Sequence, residues 1–177
     1  SVGVYNGGGY HALERNPSKN IEGRLTLRPF PGSFPGLQLT YNMAYGKGNT
    51  PASPDFLLNS GFASYENSFM TLTLQYYQAT GNSSGSYADN LGRAYENSGY
   101  SVFGEYEITG TPLKVFGRYD QFQAPEMVPS ENQRFIAGVA YNFYKKNMLI
   151  LDLDAFDRKR DGTFDQQIWE AAIEIRF

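Results

Sequence analysis

The sequence predicts an all-β fold, an antiparallel up-and-down sheet of about ten strands in a single domain that spans residues 1–177. Three observations predict this fold. Apolar and polar residues alternate with a period of two over segments of roughly ten residues, which is the pattern of a two-faced β-strand. The connections between these segments are alternately long and short. Tyrosine (14), phenylalanine (13) and glycine (19) are abundant, a composition that soluble helical proteins rarely have.

Ten segments carry the alternation. In the last of them, Trp169, Ile173 and Ile175 share one face, and Glu170 and Glu174 share the other. The fourth segment has no clear face. In chain order the predicted strands are Val2–Gly8, Glu22–Phe30, Leu37–Gly46, Leu57–Glu66, Phe69–Gln78, Gly99–Ile108, Leu113–Phe122, Arg134–Tyr144, Met148–Asp157 and Gln167–Phe177.

The connections distinguish the two ends of the predicted sheet. The long connections are 9–21, 47–56, 79–98 and 123–133, with a medium one at 158–166. The short ones are 31–36, 67–68, 109–112 and 145–147. Connections that are alternately long and short are typical of a meander across a bilayer, with the long loops outside and the short turns in the periplasm. The loops 47–56 and 79–98 could fold inward as a constriction, or they could be disordered outer loops rich in Gly, Ser and Asn.

The two faces of the strands predict a transmembrane β-barrel. One face is aliphatic in the middle with Tyr or Phe toward its ends, as in a lipid-facing band between aromatic girdles. The other face is charged and small, as in a lumen. We therefore expect a barrel in the bacterial outer membrane with both termini periplasmic, complete or part of a larger one. In a complete barrel the first strand pairs with the last, because lipid does not tolerate an unpaired edge.

Composition excludes several other classes of function. The net charge is −3, from 15 Lys and Arg against 18 Asp and Glu, whereas a duplex-DNA binder usually has a basic excess. The absence of cysteine excludes thiol nucleophiles, disulfides and thiolate metal sites. The single histidine, His11, has no evident nucleophile beside it. We expect no enzymatic activity, no cofactor and no metal site.

The alternation also predicts which charged residues line the lumen. Acidic groups on the last two strands would form one wall, and basic groups on the second and seventh strands another. The predicted lining consists of Arg24, Arg28, Glu105, Glu107, Lys114, Arg118, Asp120, Asp152, Asp154, Glu170, Glu174 and Arg176. Two interpretations remain open: an open pore in which these charges filter ions, and an interior filled by side chains in paired contacts.

Several segments resemble those of Gram-negative outer-membrane porins. The last strand ends on Phe177, with Ile175, Ile173 and Ala171 at alternate positions before it, and this resembles the C-terminal signal that the barrel-assembly machinery recognises. The segments 4–11, 22–29 and 115–120 resemble parts of porins related to the phosphate-selective porin O and P group. Those porins are longer and have more strands, so this chain resembles their C-terminal portion.

These patterns together predict an outer-membrane, porin-like channel for passive diffusion of ions or small polar solutes. The alternative is a structural barrel: plugged, adhesive, or a sheath around a periplasmic partner such as a cytochrome. The expected contacts are with membrane lipid and lipopolysaccharide, with the assembly machinery through Phe177, and with the diffusing solutes. Homo-oligomerisation stays open, and nucleic acid is not an expected partner.

Overall fold

The computed structural model describes residues 1–7, 12–124, 132–145, 147–159 and 162–176, and within these ranges it contains ten strands and no helix. The strands are β1 (Val2–Asn6), β2 (Lys19–Leu27), β3 (Leu37–Lys47), β4 (Asp55–Glu66), β5 (Met70–Thr80), β6 (Glu96–Glu107), β7 (Leu113–Gln123), β8 (Gln133–Tyr144), β9 (Asn147–Asp157) and β10 (Gln166–Glu174). The ten predicted strands are confirmed, and their ends lie within about three residues of the predicted ones.

The strands follow one another in a meander. Each pairs antiparallel with the next in sequence, so the sheet order runs from β1 to β10 without a crossover. Local hydrogen bonds build the short turns. In the β4–β5 turn, Asn67 Oδ1 accepts hydrogen bonds from the backbone N–H groups of Phe69 (3.0 Å) and Met70 (2.9 Å). In the β6–β7 turn, Gly110 has a φ of 78°, a left-handed conformation that glycine adopts readily.

The sheet is open. Among the described residues β1 pairs with β2 alone, β10 pairs with β9 alone, and no contact joins β1 to β10. The expected pairing of the first strand with the last, which would close a ten-stranded barrel, is therefore wrong for this structure. Alternation along a strand determines which side chains share a face, but it does not specify what pairs with an edge backbone.

The register assigns the strand residues to two faces, because directly opposite residues on neighbouring strands point to the same side. The apolar face includes Leu25, Tyr41, Leu74, Tyr76, Tyr100, Val102, Val139, Leu151, Trp169 and Ile173. In the described strands its charged residues are Lys19, Lys47, Asp55, Glu96 and Asp157. Each of these five is the first or last residue of its strand, beside a long connection or, for Asp157, beside the medium one. The opposite side is here called the polar face.

Burial on the two faces is the reverse of burial in a soluble sheet. On the apolar face, Leu74 is 53% exposed and Trp169 is 79% exposed. On the polar face, Thr40, Ser60 and Asp154 are buried. The total accessible surface is 11666 Å². A compact protein of this mass would expose about 8,700 Å², so the fold is a single layer whose apolar side is uncovered.

Glycines show which side of the sheet is crowded. A Cβ added to Gly138, on the polar face, would lie 2.6 Å from atoms of Phe116 and Asp152. At Gly23 and Gly61, on the apolar face, an added Cβ would meet no atom within 4 Å. Side chains crowd together on the inner side of a curved sheet and spread apart on its outer side. We infer that the sheet curves around its polar face.

The short turns lie along a slanted line across the sheet. The last pair before the β4–β5 turn is Glu66–Thr71. Directly opposite residues on successive strands form a row across the sheet, and the row through this pair reaches Phe116 on β7. The last pair before the β6–β7 turn is Glu107–Lys114, two residues further along. The row thus shifts by about one residue per strand. With a rise of about 3.3 Å per residue and a strand spacing of about 4.8 Å, the strands tilt by about 35°.

Candidate functional site

The predicted lining residues gather on the polar face. The ten that lie within strands are Arg24, Glu105, Glu107, Lys114, Arg118, Asp120, Asp152, Asp154, Glu170 and Glu174, and the register places all of them on this face. Arg28 lies one residue beyond β2 and Arg176 two residues beyond β10. Nine of the ten lie on β6, β7, β9 and β10, and Arg24 is apart on β2.

Lys114 is the centre of the first ion-pair group. Its Nζ lies 3.1 Å from Glu105 Oε1 and 3.5 Å from Glu107 Oε2. Lys114 and Glu107 are directly opposite on β7 and β6, and Glu105 lies diagonally across. The Lys114 side chain is about one quarter exposed, and its single ammonium group is shared by two carboxylates, so the group keeps a net charge of −1.

Arg118 pairs along its own strand. Its Nε lies 2.9 Å from Asp120 Oδ2, and both side chains point to the polar face because they are two residues apart on β7. Beyond β10, Arg176 Nε donates a hydrogen bond to Glu174 in the same i, i+2 arrangement. Alternation brings same-face neighbours together in this way, so both pairs follow directly from the strand period.

The pair that the sequence analysis missed joins Arg134 of β8 to Asp154 of β9. Arg134 Nη2 lies 2.5 Å from Asp154 Oδ2, and Nε donates to Oδ1 at 3.0 Å, a two-point contact. The guanidinium also lies 4.9 Å from the ring centre of Phe156. Asp154 is buried. Arg134 opens the predicted eighth strand opposite Asp120, so the strand pairing could have identified it as a polar-face residue.

Two directly opposed carboxylates on the polar face have no cation partner, and among the described residues the same holds for Glu22 on β2 and Glu66 on β4. Asp152 of β9 and Glu170 of β10 are direct cross-strand partners. In the described part of the chain, no Lys or Arg nitrogen lies within 4 Å of either carboxylate. On its other side Asp152 faces Gly138, which has no side chain. Two charges of the same sign at directly opposite positions on neighbouring strands destabilise a sheet unless water or mobile ions screen them.

At the long-loop end, an aromatic cluster covers part of the polar face. Tyr77 of β5 stacks on Phe122 of β7, with ring centres 6.4 Å apart and planes inclined by 24°. Tyr87, from the connection between β5 and β6, lies 6.2 Å from Phe122. Because Tyr77 and Phe122 belong to the polar face, this contact folds the longest predicted loop inward over that face. At Tyr87 the loop therefore follows the inward alternative, and a constriction stays a prediction.

Hydrogen bonds hold the long connections to each other. Asn49, from the β3–β4 connection, donates from Nδ2 to the carbonyl of Leu13 and accepts at Oδ1 from the N–H of Arg15. Its own N–H donates to the carbonyl of Ser83, in the β5–β6 connection. The side chain and the backbone N–H of one buried residue therefore tie three connections together at this end of the sheet.

Within the β5–β6 connection, a carboxylate organises a tight loop. Asp89 Oδ1 accepts the backbone N–H groups of Leu91 (2.9 Å) and Arg93 (2.8 Å), and the Arg93 guanidinium pairs with Oδ2 at 2.7 Å. The backbone N–H of Arg93, helped by its guanidinium, lowers the pKa of Asp89 below its ordinary value of 3.8. The ionised carboxylate is therefore the form that stabilises this loop.

Some predicted features lie elsewhere. Phe177, the predicted assembly signal, and His11 are outside the described residues. Among the described residues, no helix is both long and apolar enough to cross a membrane. In the same residues, no group of three or more acidic, histidine or cysteine side chains is placed to hold a metal ion.

The chain was compared with family models, with curated proteins and with solved structures. None of the three comparisons finds a match.

Proposed function

We propose that this chain forms the wall of an outer-membrane, porin-like channel, in which the polar face lines a water-filled path for ions or small polar solutes. The observation that carries the proposal is the reversed burial of the sheet. A single-layer sheet with an exposed, outward-curving apolar face needs an apolar environment to cover that face. Lipid provides such an environment over the whole width of ten strands at once.

The edges of the apolar face support a membrane location. Tyr76 and Tyr100 are direct partners near the long-loop ends of β5 and β6. Beyond them on this face come Gln78 and then Glu96, the first residue of β6. On β3, Tyr45 is the last residue of this face before the charged strand end. Aromatic residues followed by polar ones mark the border between lipid and headgroups in transmembrane barrels.

The tilt of the strands supports a barrel wall. Closing a sheet into a barrel requires strands tilted by about 35–45°, and the register of this sheet gives about 35°. In lipid the unpaired backbone groups of β1 and β10 would be costly. The proposal therefore includes further strands that pair with both edges, supplied in the purified protein by other copies of this chain, so that each chain is part of a wider barrel. The porin-like segments of the sequence are consistent with this proposal.

The alternative function is a structural barrel without a conducting path. The ion pairs favour it, because Lys114, Arg118 and Arg134 are all engaged by carboxylates, as a filled interior requires. Asp152 and Glu170 favour the channel instead. They remain unpaired on the same face, and charges without a protein partner need water or mobile ions beside them.

The test is electrical. The purified chain is inserted into a planar lipid bilayer in potassium chloride, and protease protection of the same preparation in vesicles verifies insertion. The proposal predicts discrete conductance steps. Inserted protein that gives no conductance would reject the channel and favour the structural barrel. Protein that fails to insert at all would reject the membrane location.

A further inference from the structure

We propose that the polar face selects cations over anions, and that Asp152 and Glu170 set this preference. This inference rests on the proposed channel and specifies the solutes that it conducts.

The charges on the polar face are mostly acidic. In the described strands the acidic residues on this face are Glu22, Glu66, Glu105, Glu107, Asp120, Asp152, Asp154, Glu170 and Glu174. The basic residues are Arg24, Lys114, Arg118 and Arg134. Nine carboxylates thus face four cations. A surface with this excess raises the local concentration of cations and lowers that of anions.

Among the described strand residues, four polar-face carboxylates have no Lys or Arg nitrogen within 4 Å: Glu22 and Glu66, on separate strands, and the direct neighbours Asp152 and Glu170. Three of the four cations lie within 4 Å of carboxylates on β6, β7 or β9, so the charges there are largely compensated. Asp152 and Glu170 have no such partner among the described residues, and they are directly opposite on β9 and β10. Glu170 is exposed and Asp152 is partly exposed, so a passing cation can approach both carboxylates together.

The experiment measures the reversal potential of the inserted wild-type chain under a potassium chloride gradient. We expect potassium to be more permeant than chloride. In the double variant Asp152→Asn/Glu170→Gln the permeability ratio should shift toward one. The variant is expected to fold, because it removes a repulsion and keeps the shape of both side chains. Glu170→Lys should shift the ratio further, toward chloride.

The matched control removes the same number of carboxylates from the other face. In Asp55→Asn/Glu96→Gln both changes lie at the outer strand ends of the apolar face, and the permeability ratio should stay at the wild-type value. A ratio of one or below in the wild type overturns cation selection and leaves the channel standing. A cation preference that the Asp152 and Glu170 variants do not change overturns their role. Absence of any conductance overturns the channel and this inference with it.

Discussion

Placing an arginine on either side of the same strand tests which face meets lipid. Leu74 and Gln75 are neighbours on β5, and they lie on the apolar and the polar face respectively. If lipid covers the apolar face, Leu74→Arg brings a charge into the hydrocarbon, which costs about 2–4 kcal/mol near the midplane of a barrel. Gln75→Arg adds the same side chain on the water side, next to the Ser101–Asp120 pair.

The expected magnitude for Leu74→Arg has two parts. Leu74 is 53% exposed, so covering its free surface by lipid is worth about 1 kcal/mol, roughly half the value of burying a whole leucine. The lost lipid contact of the leucine and the added cost of the arginine charge together should make the free energy of folding into the membrane less favourable by about 3–5 kcal/mol. At 1.4 kcal/mol for each tenfold change, the ratio of inserted to unfolded protein should fall by roughly a hundredfold or more. Gln75→Arg should change the free energy by about 0.5 kcal/mol or less.

The assay is an equilibrium urea titration of folding into lipid vesicles, followed by the emission of the single tryptophan. The two variants differ in face alone, since they share the strand, the depth and the new side chain. Equal losses at the two positions, or a larger loss for Gln75→Arg, would refute the assignment of the apolar face to lipid.

Three further predictions follow from individual contacts. In the inserted protein, cysteines at Val4 and Ile173 should form no intramolecular disulfide, because β1 and β10 do not meet. Arg134→Met should lower the free energy of unfolding by about 1–3 kcal/mol, since it leaves the buried carboxylate of Asp154 without its cation. Because the pKa of Asp89 is lowered, protection of residues 81–95 from protease should persist at neutral pH and be lost as the pH falls below about 4 through that pKa.

Each of these predictions has a matched control. Cysteines at Val4 and Ile21 should form a disulfide, because these residues are direct partners in a pair without mutual backbone hydrogen bonds. A Val4–Ile173 disulfide in monomeric protein would show that the sheet closes on itself. Adding Asp154→Asn to Arg134→Met should restore part of the lost free energy of unfolding. If Arg134→Met alone is as stable as the wild type, the ion pair does not stabilise the fold. Asp89→Asn should lose the pH dependence; a retained dependence would assign it to another group.

The strands and their faces could be predicted from the sequence because a two-residue period is visible along the chain. Strand β4 shows where this signal weakens. Its polar-face positions include Phe56, Leu58 and Phe62 besides two serines, so neither face is purely polar and the sequence left it unassigned. Its face follows from the register with β3 and β5, which is a property of neighbouring strands.

Long-range features could not be read from the sequence. The Arg134–Asp154 pair depends on the offset between two strands, and the loop contacts of Asn49 join connections more than thirty residues apart. The open edge is the largest difference from expectation. Edge pairing depends on backbone groups that every residue has, so no side-chain pattern specifies it. The charged face was predictable because alternation alone places its members.

The most direct test of the central claim, that lipid covers the apolar face, uses the single tryptophan as it stands. Trp169 lies on that face of β10, at the outer end of its apolar residues, and is 79% exposed in the isolated chain. In vesicles whose acyl chains carry bromine, we predict strong quenching of its emission, strongest for bromine near the headgroups, and little quenching by iodide in the water. Quenching by iodide together with insensitivity to brominated lipid would contradict the account.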